Sequence, residues 1–147
     1  MELQKQVVSL ELAKKLKELG FKQESLFAWL FNEKQNKFII VGHSTEVSNN
    51  FYVGKELISA YTVAELGEML PKELYLPYKT RGTDKFSNKK RKYPQHPHCF
   101  FGGITDHNFQ INYVGGGSQE RISKNSDSEA NARATMLIFL KENNLIQ

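Results

Sequence analysis

Residues His107–Val114 read HNFQINYV. Phe109, Ile111 and Tyr113 alternate with Asn108, Gln110 and Asn112. Successive side chains of a strand point to opposite faces, so this alternation predicts a strand with one apolar face and one wet face. A sheet of that kind is antiparallel and needs something packed on its apolar side. Gly115-Gly116-Gly117 ends the run, and Cys99–Phe101 upstream predicts a second strand, with Gly102-Gly103 as a turn between them.

Downstream, a polar linker SQERISKNSD leads to a helix expected over Asp127 to Asn143. Ser126 and Glu129 have the spacing of a capping box, and Ala130, Ala134, Leu137 and Ile138 form the apolar stripe. Leu145 and Ile146 are expected to fold back onto the core. Upstream, Ser9–Gly20 predicts another helix, with Leu12, Ala13, Leu16 and Leu19 on one side. Ser9 is expected to cap it through its hydroxyl, and Gly20 stands where a left-handed residue is wanted. Ser25–Phe31 and Lys37–Val41, separated by NEKQN, predict a hairpin. Both faces of its first strand are apolar, so that strand is expected to be central or covered on both sides, with a short helix at the same place as the rival reading. GHSTEVSNN at Gly42–Asn50 reads as a polar loop and Phe51–Val53 as a further short strand. Thr62 and Glu65 form a capping box for a short helix that Pro71 ends. Leu74–Tyr78 is expected to be extended or irregular. The sum is a single α+β domain over residues 1–147, an antiparallel sheet with about three helices packed on it.

The chain has 147 residues, 39% of them hydrophobic and 12% aromatic, too apolar for a disordered chain and of ordinary size for one domain. No apolar run approaches the roughly 20 residues that span a bilayer. The start, MELQKQVVSLELAKK, lacks the apolar core of a secretory signal. A single cysteine, Cys99, rules out an internal disulfide and suits a reducing compartment. A soluble, cytoplasmic protein with no membrane partner is expected.

The net charge of +4 is concentrated in one place. KTRGTDKFSNKKRK at Lys79–Lys92 holds seven basic residues against Asp84 alone, or +6, which leaves 13 basic and 15 acidic residues, or −2, for the rest. The segment shows no apolar period, so residues 79–98 are expected to be a mobile basic loop. Lys79, Arg81, Lys85, Lys89, Lys90, Arg91, Lys92 and Tyr93 could pair phosphates and stack on bases. The plainer reading is a solubilising loop. KKRK at Lys89–Lys92 also has the form of a nuclear import signal.

Three stretches together carry a resemblance: SLELAKKLKELGFKQESLFAW, AYTVAELGEMLPKEL and SEANARATMLIFLKENNLI. The chain resembles a group of small uncharacterised proteins of bacterial prophage and mobile-element regions. The resemblance covers about half the chain, mainly Ser9–Trp29, Ala60–Leu74 and Ser128–Ile146. It implies a bacterial or phage-infected cell and carries over no catalytic residue.

QHPHC supplies His96, His98 and Cys99, with Asp106 and His107 nearby. His96, His98, Cys99 and His107 are a candidate metal set, although no zinc-type spacing is present. Cys99, His107 and Asp106 are a conceivable nucleophile set, against the plainer reading of a buried thiol beside polar imidazoles. No phosphate loop is present, because Gly115–Gly117 does not open a helix. No cofactor is implied. The expected role is therefore non-enzymatic: a phage or mobile-element accessory factor that meets a protein partner or a second copy of itself. The alternatives are a nucleic-acid-binding protein using 79–92 and, after that, a metal-dependent enzyme.

Overall fold

Ser9 is followed by an amphipathic nine-residue helix, α1 (Leu10–Glu18), which buries Ala13 and Leu16. In the computed structural model, residues 3–42, 55–79, 86–102, 106–114 and 121–147 are described; for 76–79, 86–102, 106–108, 114 and 121 the description is of the backbone alone. The element order continues β1 (Phe27–Asn32), β2 (Lys37–Gly42), β3 (Leu57–Ser59), α2 (Val63–Met69), β4 (Glu73–Lys79), β5 (Phe86–Gly102), β6 (Asp106–Val114), β7 (Arg121–Ser126) and α3 (Glu129–Glu142). This is an α+β fold with antiparallel strands.

The strands form two sheets among the described residues, ordered β2-β1-β3 and β4-β5-β6-β7. The N-terminal hairpin forms as its sequence predicts, with Phe31 opposite Phe38 and Asn36 at φ 49° in the turn. β1 lies between β2 and β3, as a strand apolar on both faces should. Ala28 and Leu30 are buried, and the half-buried Trp29 donates its indole N–H to the Val8 carbonyl at 3.1 Å. Phe51–Val53 lies outside the described residues. The third strand among the described residues is Leu57–Ser59, too short to carry a period of its own.

α3 is the centre of the core. Ala130, Ala132, Ala134, Met136, Leu137, Ile138 and Leu140 are all buried, so the helix is covered on every side rather than along one stripe. It packs against α1, α2, β6 and β7. Alanines in its first half keep the approach close. Gly67 in α2 does the same from the other side, since a Cβ there would lie 2.8 Å from Nη1 of Arg133. Leu145 and Ile146 pack back on this core.

The caps follow expectation in part. Thr62 and Glu65 make the full capping box of α2. Gly20, at φ +82°, is the left-handed residue after α1. Ser9 makes no side-chain cap; its backbone N–H goes to Oδ1 of Asn131 at 2.8 Å instead. α3 is capped by Ser128, whose Oγ accepts from the Asn131 N–H at 3.2 Å. The predicted Ser126–Glu129 box does not form, because the helix starts two residues later and Ser126 donates to Asp127.

Two polar stretches are strands. Arg121–Ser126, within the expected linker, is β7 and pairs with β6. Of the expected loop 79–98, residues 80–85 lie outside the described residues, Lys79 ends β4, and 86–98 belong to the 17-residue β5. β5 finds its backbone partners on two strands in turn, β4 over Phe86–Pro94 and β6 over Gln95–Gly102. Paired backbone, not apolar periodicity, is what makes it a strand.

Candidate functional site

Strand register assigns the basic segment to faces. Leu74 is buried, and Tyr75 is 57% exposed. Directly opposed residues of an antiparallel pair lie on the same face. Tyr93 is opposite Leu74 and Arg91 opposite Leu76, so both fall on the core-side face; Lys92 is opposite Tyr75 and Lys90 opposite Pro77, so both fall on the outer face. Lys89 falls in the irregularity between the Pro77 and Lys79 pairings, and Lys79 is opposite Phe86. Arg81 and Lys85 lie outside the described residues.

The same two faces continue across the sheet. Ile111 and Tyr113 are buried on the core side, where the Tyr113 hydroxyl donates to the Pro71 carbonyl at 2.5 Å. Ile122 is opposite Tyr113 and Lys124 opposite Ile111, and the Lys124 ammonium sits 4.0 Å from the ring centre of Phe139 in α3. On the outer side, Ser123 is opposite Asn112 and Asn125 opposite Gln110. Gln110 donates to the Ser123 hydroxyl, and the Asn112 amide donates to Oε1 of Gln110 at 3.4 Å. The outer face is thus polar, as the alternation predicts. It is not uniformly wet, because Asn112 is only 4% exposed. Tyr75 donates its hydroxyl to Oε2 of Glu73 at 3.0 Å, which leaves the ring face outward-lying beside the Lys92 position.

The histidine and cysteine positions separate in the same way. His96 is opposite Asn112 and His98 opposite Gln110, on the outer face. Cys99 is opposite Phe109 and His107 opposite Phe101, on the core-side face. The four-residue metal set is therefore split between faces. Asp106 also lies on the opposite face from its neighbour His107, so the nucleophile set does not share a face. Among the residues whose side chains are described, no group of three or more His, Cys, Asp or Glu could hold a metal ion.

Among the described residues, the most buried ionisable side chain with a resolved shift is Tyr61. Burial pushes its hydroxyl above the usual phenol range; it donates to the Lys22 carbonyl and accepts from the Gln23 amide at 3.3 Å. It stays neutral and serves as a tie between the β3–α2 junction and residues 21–23, with Gln23 also holding the Ser59 N–H at 3.0 Å. Two other resolved shifts are surface ion pairs: Lys15 is raised by its pairing with Glu142, and Glu56 is lowered by Lys17. These are ordinary ion pairs, not acid–base machinery.

A second surface feature is the β2 edge. Phe38, Ile39, Ile40 and Val41 are half-buried, and β2 pairs only with β1 among the described residues. Phe31 beside it is 40% exposed and meets Phe38 edge-on at 5.2 Å. The sequence pointed to the hairpin as apolar and to its first strand as central; β3, the strand that completes the other side of β1, it did not reveal. No helix among the described residues is long and apolar enough to cross a membrane. Comparison with known proteins gives no match to a protein family, a curated protein or a solved structure.

Proposed function

We propose that this chain is a non-enzymatic accessory protein of a phage or other mobile element that binds nucleic acid through the outer face of the β4–β5 ribbon. One observation carries the proposal: the register puts Lys90 and Lys92 on the same face as the exposed Tyr75. Two cation positions on the same face as an open ring would supply the two contacts that single strands need, phosphate pairing and base stacking. The charge distribution supports it, since +6 falls within Lys79–Lys92 and −2 on everything else. The outer face continues into amides and hydroxyls of Gln110, Asn125 and Ser123, groups that contact phosphates and sugars without reading sequence.

Fluorescence anisotropy with a labelled single strand and a labelled duplex tests it. Two phosphate contacts, one for each of Lys90 and Lys92, predict an affinity for the single strand that falls by about 7-fold between about 50 mM and about 200 mM salt. Lys90→Ala with Lys92→Ala is expected to flatten that salt dependence, and Tyr75→Ala to weaken the single strand more than the duplex. Absence of binding at the lower salt, or unchanged affinity when Lys89, Lys90, Arg91 and Lys92 are all alanine, sinks the proposal. A protein-binding or self-associating role, with the β2 edge as its surface, then takes its place.

A further inference from the structure

Asn112 poses a local problem. It is 4% exposed, its Nδ2 is committed to Gln110, and its Oδ1 has no hydrogen-bond partner among the described residues. A buried amide oxygen without a partner costs about 1–3 kcal/mol, so this position calls for a donor or a cation. The residue directly opposite it is His96, and His98 is opposite its neighbour on the same face, Gln110.

Histidines two apart share a strand face, with Cα atoms roughly 6.6 Å apart at about 3.3 Å per residue. That spacing allows two imidazoles to share one ion. Pro97 between them restricts His96 to extended backbone, which favours keeping the two positions in line. Two neutral nitrogens and one neutral amide oxygen suit zinc, nickel or copper. Calcium and magnesium are better served by carboxylates. The core-side register of Cys99 and His107 leaves them out of this set.

We propose that His96 and His98, together with the Asn112 amide oxygen, bind a divalent transition-metal ion on the outer face of the β5–β6 pair. Isothermal titration of the full chain with Zn²⁺ alone, then Ni²⁺ alone, in a non-chelating buffer tests it. One ion per chain is expected. His96→Gln and His98→Gln should each weaken binding by at least about tenfold, and Cys99→Ser and His107→Gln should leave it within about twofold. Binding should weaken below about pH 6.5, where imidazoles protonate and stop coordinating. Circular dichroism confirms that each variant is folded. The Lys90→Ala, Lys92→Ala variant should bind zinc as the parent does, which separates this result from that of the nucleic-acid titration. Lack of stoichiometric binding, or a loss that follows Cys99 and His107 instead of His96 and His98, overturns the proposal.

Discussion

Asn131 joins the beginnings of two helices. Its Oδ1 accepts the Ser9 N–H at 2.8 Å, its Nδ2 donates to Asp127 at 3.2 Å, and its own N–H is capped by Ser128. Asn131→Ala strands a part-buried N–H and is expected to cost about 1–3 kcal/mol, measured by urea unfolding. Ser9→Ala should stay within about 0.5 kcal/mol, because its hydroxyl makes no cap. The Asn131 amide, and then the Ser126 hydroxyl, hold the Asp127 carboxyl below the usual carboxylate range. A lowered pKa adds stability above the unfolded value of about 3.9, and that stability goes as pH falls through the folded value. The gap between parent and Asn131→Ala should therefore narrow below about pH 4. Legibility at this scale follows distance along the chain. The Thr62–Glu65 box lies within four residues and could be read directly. The Ser9 N–H finds its partner 122 residues away, and the Ser126–Glu129 offset pointed two residues upstream of the actual cap, Ser128.

α1 and α3 end in the same motif. After α1, Phe21 donates to the Leu16 carbonyl and Gly20 to that of Lys17; after α3, Leu145 donates to Leu140 and Asn144 to Lys141. Both need a left-handed residue, Gly20 at φ +82° and Asn144 at φ 55°. A Cβ at Gly20 meets nothing, so Gly20→Ala should cost only the backbone penalty, about 1–2 kcal/mol. Asn144→Gly should be neutral to within about 0.5 kcal/mol, since asparagine enters this conformation readily. Guanidinium midpoints of the two variants decide whether the motif or its neighbours set the cost; equal losses would sink the argument. Helices were legible because their stripes and stops are local. β7 was not, because its core-side face offers only Ile122 and the stem of Lys124 over Phe139. β5 hid for a related reason: its cations obscure the alternation, and its pairing comes from two other strands. The basic residues of the candidate interface could be counted from composition. The assignment of Lys90 and Lys92 to the outer face and Arg91 to the core side required the register.

The two sheets share one core through α1 and α3: α3 touches α1, α2, β6 and β7, and α1 touches β3. Leu137, fully buried there, is the position to test: Leu137→Ala should cost about 2–5 kcal/mol. Trp29 sits in the N-terminal sheet, whereas most strand signal comes from the larger one. Its fluorescence and far-ultraviolet dichroism should therefore lose stability together and keep a common midpoint. Separate midpoints would show two independent units. The α+β class and three helices were legible from periodicity; the split into two sheets was not, since it depends on which strand edges meet. The central position of α3 also bears on biosynthesis. Phe27 and Glu129 are about a hundred codons apart, and a ribosome adding roughly 5–20 residues per second takes on the order of ten seconds between them. Every strand leaves the exit tunnel before α3, which closes over β6 and β7, so the greasy surfaces this helix covers must wait exposed on the nascent polypeptide, a natural client for holding chaperones.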